Sequence, residues 1–401
     1  RIEYAQAGGL IYTDSIDNSA GVDCSDNEVN IKILLSPLVK EGRMTRAQRN
    51  KLLIDMTDEV AEHCLANNYR QTQILDSLVQ NAAANMHQHA RFMRHLEREN
   101  ILSRRLENLP SDEQITERIA QNKGLTRPEL SILLSYSKLT YKNALLAASS
   151  LSEECYNPLL LEYFPQLLRN DFAAEILQHP LRKEIIATLL SNKITNNIGI
   201  GFGYRIREET GASIEDIAKA YVVCVDVFAL NDTWDELEKL DNKVQEVYRY
   251  ECFQAVSGLL ERSISWLLRN QSSDFVVSKV IKRYKPDIKL LNKVISTAIV
   301  GKSRKNYLTT KKRFIKYKLP TALAQELADK TTLASAFDII EIKIKLGSSP
   351  ENVAKLFYAL SDRLQLHWIR NATSKTIIRS HWNHLAIVNL RNDLHANQRN
   401  L

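Results

Sequence analysis

The sequence predicts a mainly α, multi-helix protein with a fragment of an α/β domain at its front. Glycine and proline are scarce, 12 and 9 among 401 residues. Turns and hairpins consume both, and globular chains average ~7% glycine, so scarcity favours long helices. Apolar residues recur at three- and four-residue spacing over most of the chain. Only the opening stretch departs from that pattern. There Leu10-Ile-Tyr-Thr13 follows Gly8-Gly9 as a β-prone run, and a polar loop leads on to Gly21.

A single strand needs a pairing partner, so the sheet of that run is expected upstream of this chain. The chain opens on Arg1 rather than Met and reads as a piece of a longer polypeptide. From about Val22 the pattern is helical. Thr45 and Gln48 form a capping box, followed by Leu53, Met56, Val60 and Cys64 at helical spacing. Gln71 to Asn108 holds no Pro or Gly and reads as one long helix, buried through Leu75, Leu78, Ala82, Met86, Met93 and Leu96 and ended before Pro110. Thr126 and Glu129 cap another helix with Pro128 in its first turn; Leu130, Leu133, Leu134, Tyr141 and Leu145 continue it. Ile214, Ile217, Ala218, Tyr221, Val222, Val225 and Phe228 form one apolar stripe. Val353, Leu356, Phe357, Leu360, Leu364 and Trp368 form another. No fixed-period repeat or low-complexity segment occurs.

The formal charge of +7 is uneven: Arg269 to Lys318 holds 15 Lys and Arg against Asp274 and Asp287 alone. Such a run can attract polyanions, but no nucleic-acid motif accompanies it, and a solvated helical face is the plainer reading. Five cysteines, an odd number without a CxxC pair, argue against a disulfide framework and a cysteine zinc site and fit a reducing, cytoplasmic location. No apolar run is long enough for a membrane span, and no signal peptide is visible.

Asn18-Ser-Ala-Gly-Val-Asp-Cys-Ser-Asp26 is a small-residue loop running into a helix start. Gly21 lets backbone approach a ligand closely, and the first free N–H groups with Ser25 can hold a carboxylate. An ordinary strand-to-helix turn capped by Asp23 or Ser25 fits the same residues. Gly199-Ile-Gly-Phe-Gly203 has its third glycine too early for a dinucleotide fingerprint and reads as a helix break or tight packing. The histidine groups His87/His89 and His381/His384 lack a third metal ligand at a fixed spacing, and no GxSxG elbow supports a hydrolase.

The string from Gly8 to Asn30 resembles the large bacterial NAD-dependent glutamate dehydrogenases. Asn18, Ser19, Ala20, Gly21, Val22, Ser25 and Glu28 match the Asn-Ala-Gly-Gly-Val…Ser…Glu pattern of glutamate dehydrogenases generally, with Ala20 in place of a glycine. Leu125-Thr-Arg-Pro-Glu-Leu130, Tyr163-Phe-Pro165, His179-Pro-Leu-Arg182, Glu208-Glu-Thr-Gly-Ala212 and Leu390-Arg-Asn-Asp-Leu394 resemble later blocks of that branch, in order.

The resemblance implies that residues 1–40 are the carboxy-terminal edge of a Rossmann-type, NAD-binding catalytic domain. Residues 41–270 would then be a helical domain, and 271–401 a basic helical subdomain. It implies that Asn18 and Gly21 lie near the nicotinamide cofactor, that Val22 touches substrate, and that Ser25 donates to the glutamate side-chain carboxylate. Asp23 would add negative charge near that substrate. The proton-transfer lysine and aspartate and the dinucleotide fingerprint would lie upstream, so no catalytic residue is expected here and the piece alone should be inactive. The expected partners are that upstream catalytic domain, L-glutamate and 2-oxoglutarate, and further copies of the chain in a homo-oligomer. A helical protein-interaction module is the rival reading, with nucleic-acid binding through residues 269–318 behind it.

Overall fold

The computed structural model describes residues 1–148, 150–375 and 381–401. It is 79% helical, with no strand among the described residues, and divides into two compact units, Arg1–Tyr204 and Arg205–Leu401.

In the first unit the Thr57–Gln80 helix packs against Ser19–Lys40 and Arg127–Ala147, and Arg127–Ala147 packs in turn against Arg182–Ile198. Leu75, Met86, Met93, Leu96, Leu130, Leu133 and Leu134 are fully buried in one cluster, each worth roughly 1.5–3 kcal/mol of transfer free energy. The expected caps form. Thr45 Oγ1 accepts from the Gln48 N–H at 3.2 Å while the Thr45 N–H donates to Gln48 Oε1 at 2.8 Å. The Thr126 N–H donates to Glu129 Oε2 at 2.7 Å.

Three expectations for the first unit need correction. Leu10 to Thr13 is not a strand: without a sheet its polar groups turn to local partners, the Arg1 guanidinium donating to the Tyr12 carbonyl at 2.8 Å. Tyr12 packs on the core, and burial and a hydrogen bond with Asp76 raise its hydroxyl pKa. The loop from Asn18 to Asp26 is helical from Ser19 onward. Gln71 to Asn108 is not one helix: Thr57–Gln80 ends at Asn81, Met86–Arg98 follows, and Asn100 takes a left-handed φ of 55°. Of the residues expected inside, Leu75, Ala82, Met86, Met93 and Leu96 are buried on one side of the bend, and Leu78 is partly buried against the same cluster.

In the second unit Ile214–Val227 packs against Glu246–Asn270 and Val277–Ala298, and Val277–Ala298 also contacts Pro350–Arg363. Phe337 centres an aromatic cluster, stacked on Trp266 at 4.9 Å and meeting Tyr284 edge-on at 4.9 Å. Beneath it the buried Asp338 accepts from Trp266 Nε1 at 2.8 Å and Arg399 Nη1 at 3.2 Å. The first apolar stripe is buried at Ile214, Ile217, Ala218, Tyr221 and Phe228. The second is rotated: Val353 and Phe357 are buried together with Ala354, Tyr358 and Ser361, while Leu356, Leu364 and Trp368 are exposed.

The basic run forms the solvated faces of Val277–Ala298 and Gly301–Lys316. Tyr284, Ile288, Leu291, Tyr307 and Phe314 point inward; Arg304, Lys305, Lys312, Arg313 and Lys316 are exposed. Part of the charge is paired locally, Arg283 with Glu341 and Lys285 with Asp226, each at 2.7 Å. No helix among the described residues is long and apolar enough to cross a membrane.

Candidate functional site

The Ser19–Lys40 helix and its N-cap residue Asn18 carry every site residue expected from the sequence. Its buried face is Asn27, Ile31, Leu34, Leu35 and Leu38. At 100° per residue the opposite face holds Asn18, Gly21, Val22 and Ser25, spaced i, i+3, i+4 and i+7, and continues through Glu28 and Val29. All are exposed, Val22 at 66% and Val29 at 48%. The structure therefore brings the four residues together on one outward stripe.

That stripe is held from below by asparagines. Asn68 Nδ2 donates to the Ile16 carbonyl at 2.7 Å and to Ser19 Oγ at 2.8 Å, fixing the start of the helix. Asn30 Nδ2 donates to the Tyr163 hydroxyl at 2.8 Å, and the Asn30 carbonyl lies 3.1 Å from His179 Nε2. Asn67 Nδ2 donates to Asp23 Oδ2 at 2.7 Å. Asp23 is half-buried, and desolvation raises its pKa against the opposing Asn67 hydrogen bond. It lies two positions before Ser25, about 200° around the helix, so its charge points away from the stripe.

Asn18 occupies the N-cap position, and its side chain makes no capping hydrogen bond. The free N–H groups of the first turn lie more than one turn before Ser25. The Ser25 hydroxyl, not the helix terminus, is thus the donor this chain offers at that point. Gly21 has open space where a Cβ would stand and no left-handed φ, so backbone approach remains possible there although no turn requires it.

The glycines among the described residues do not form a phosphate-binding turn. Among the described residues there is no strand to launch a phosphate-binding turn. Gly199, at φ 112°, ends the Arg182–Ile198 helix, and Gly201 and Gly203 close against Phe92 and Tyr141, where a Cβ would stand 3.4 and 2.4 Å away. On the outward stripe, the Asn18 amide is the group whose chemistry matches a nicotinamide carboxamide. His87 is exposed and His89 buried on the Met86–Arg98 helix; the side chains of His381 and His384 lie outside the described residues.

Sequence reasoning missed two groups beneath the stripe. Lys138 Nζ donates to Gln71 Oε1 at 2.9 Å, and burial pulls its pKa down to about 7 against the pull of Asp23. Cys24 and Cys64 place their sulfurs 3.4 Å apart. Neither juxtaposition follows from spacing along one helix, since each joins residues far apart in the chain.

Residues 122–401 match the family model described as glutamate dehydrogenase, C-terminal, and residues 1–78 match that of the bacterial NAD-glutamate dehydrogenase catalytic domain. The NAD-specific glutamate dehydrogenase of Halomonas elongata is 36% identical over 398 residues, covering 99% of this chain and 25% of the relative. Those of Pseudomonas aeruginosa and Mycobacterium tuberculosis are 36% and 33% identical, each covering the whole chain and 25% of the relative. The chain spans about a quarter of the length of these relatives.

Proposed function

Because this chain belongs to the glutamate dehydrogenase C-terminal family, we propose that it is the carboxy-terminal part of an NAD-specific glutamate dehydrogenase, supplying one wall of the active site and a helical support for it. The parent reaction converts L-glutamate, NAD and water to 2-oxoglutarate, ammonia and NADH. Bound NAD supplies the hydride acceptor; what this chain does is bind and orient. Ser25 donates to the distal carboxylate of glutamate, Val22 packs against its methylene chain, and the Asn18 amide pairs with the carboxamide of the cofactor. Proton transfer belongs to a lysine and an aspartate upstream. In this reading residues 1–40 complete the catalytic domain, and 41–270 and 271–401 are support and oligomerisation regions of a cytoplasmic enzyme.

The observation that carries the reading is the outward stripe of Asn18, Gly21, Val22 and Ser25, exposed together on one helix face. A buried stripe could not form a wall. The test is NAD-linked glutamate oxidation by the full-length enzyme, wild type against Ser25→Ala. A raised KM for glutamate is expected; unchanged kinetics would remove Ser25 from the site. The 401-residue chain alone should form no NADH, and activity at a tenth of the full enzyme's rate would refute the division of labour.

A second reading, a helical interaction module, is favoured by the exposed Leu356, Leu364 and Trp368. It is compatible with the first. Self-association in sedimentation that Trp368→Lys abolishes would support it, and a clean monomer would remove it.

A further inference from the structure

Cys24 and Cys64 sit on adjacent packed helices, Ser19–Lys40 and Thr57–Gln80, 40 residues apart in sequence with their sulfurs 3.4 Å apart. Cys24 is exposed and Cys64 buried. We propose that these two thiols form a reversible disulfide, a redox-responsive modification site that takes peroxides as oxidant and small dithiols as reductant.

The geometry asks for little. A disulfide needs its sulfurs about 2.05 Å apart, and these already touch. The different surroundings assign different roles. Cys24 can be reached from solvent, so peroxide meets it first. Cys64 is shielded, and burial, then Cys24 and Asp23, push its pKa up to about 12 and keep it a thiol until a partner sulfur becomes electrophilic. In a reducing compartment a pair of this kind is transient and responsive rather than structural.

The reaction balances with hydrogen peroxide alone. The Cys24 thiolate attacks one peroxide oxygen: an S–O bond forms, the O–O bond breaks, and hydroxide leaves with the proton Cys24 had lost, as water. The Cys64 sulfur then attacks the sulfenic sulfur of Cys24. An S–S bond forms, the S–O bond breaks, and the departing hydroxide takes the Cys64 proton as a second water. Two thiols and one peroxide give one disulfide and two waters, the sulfurs losing two electrons to oxygen. The bond ties the turn bearing Val22 and Ser25 to the Thr57–Gln80 helix.

Trypsin separates the two cysteines into peptides 2–32 and 52–70, each with a single cysteine, and places Cys155 in 143–169. The full-length polypeptide is treated with hydrogen peroxide, alkylated, digested without reductant and weighed. A species joining 2–32 to 52–70, lost on dithiothreitol treatment, with 143–169 still alkylated, is the expected result. Recovery of 2–32 and 52–70 both alkylated, or of 2–32 carrying a sulfinic acid beside an alkylated 52–70, would overturn the proposal. In Cys64→Ser, peptide 2–32 should instead carry added oxygen; an unmodified, alkylated Cys24 in that variant would overturn its role as first target.

Discussion

Arg118 and Glu129 meet fork to fork: Nη1 donates to Oε2 at 2.8 Å and Nη2 to Oε1 at 2.9 Å, with Glu129 fully buried. The pair joins the end of the Asp112–Ala120 helix to the start of Arg127–Ala147, where Oε2 also accepts from the Thr126 N–H and, at 2.9 Å, its hydroxyl. One carboxylate thus closes a cap and an interhelical bridge. Glu129→Gln turns an N–H2 toward the guanidinium or the cap and cannot serve both. Removing one partner of a buried pair costs about 3–5 kcal/mol, and a loss of that size is expected in urea unfolding of the chain. An unchanged midpoint would show that the bridge contributes little.

That carboxylate was half legible. Its capping role follows from Thr126 and Glu129 three residues apart, a local pattern; its partner Arg118, eleven residues back, does not. Other misses have the same origin. Nothing in Gln71 to Asn108 is Gly or Pro, yet the chain bends there, and the signal lay in asparagine. Among the described residues, four of the seven non-glycine residues at positive φ are asparagines: Asn100, Asn108, Asn122 and Asn242. Asparagine tolerates the left-handed region and in this glycine-poor chain takes over glycine's turns. The Leu356, Leu364 and Trp368 stripe misled because i, i+4 spacing fits two neighbouring helix faces, and the neighbours of Val353 and Phe357 decided which was buried. The Asn18–Ser25 stripe could be read from spacing once the segment was known to be helical. The Cys24–Cys64 contact is set by helix packing, on which a single sequence is silent.

His89 gives a pH dependence. Burial holds its pKa down to about 4, while in the unfolded chain it titrates near its ordinary ~6.5. As pH falls through 6.5 the unfolded state gains a proton that the folded state refuses, so stability falls, and the loss is complete below about 4. Two and a half pH units correspond to about 3 kcal/mol at most. His89→Gln removes the titration. The stability of the variant relative to wild type should rise between pH 6.5 and 4, read as converging or crossing unfolding midpoints. Parallel curves would mean that His89 is protonated inside the fold. His395, also held down to about 4, leaves a residual slope in both proteins.

Gly124 allows a close backbone approach. A Cβ there would stand 2.3 Å from the Ala82 carbonyl carbon and 2.5 Å from the Ala83 nitrogen, both main-chain atoms that cannot rotate away. Its φ is not left-handed, so the cost of Gly124→Ala is one of packing alone. Overpacking of this kind costs about 1–3 kcal/mol, and because the clash lies at the 81–85 bend, amide exchange at Met86 to Ala90 should accelerate with it. Unaltered exchange would mean the bend is soft enough to move aside.

Asn18→Asp separates fold from function at one position. Asn18 caps the Ser19–Lys40 helix without a side-chain hydrogen bond. Aspartate serves as well at an N-cap and adds a favourable charge at the helix's positive end, so the urea midpoint of the chain should hold or rise slightly. A carboxylate cannot donate to the carbonyl of a nicotinamide carboxamide, and one neutral hydrogen bond is worth about 0.5–1.5 kcal/mol. In the full-length enzyme the KM for NAD should therefore rise from a few-fold to about tenfold, with the KM for glutamate changing less. A larger effect on glutamate would move Asn18 to the substrate side of the wall. A fall in the midpoint together with unchanged kinetics would make Asn18 a structural cap and nothing more.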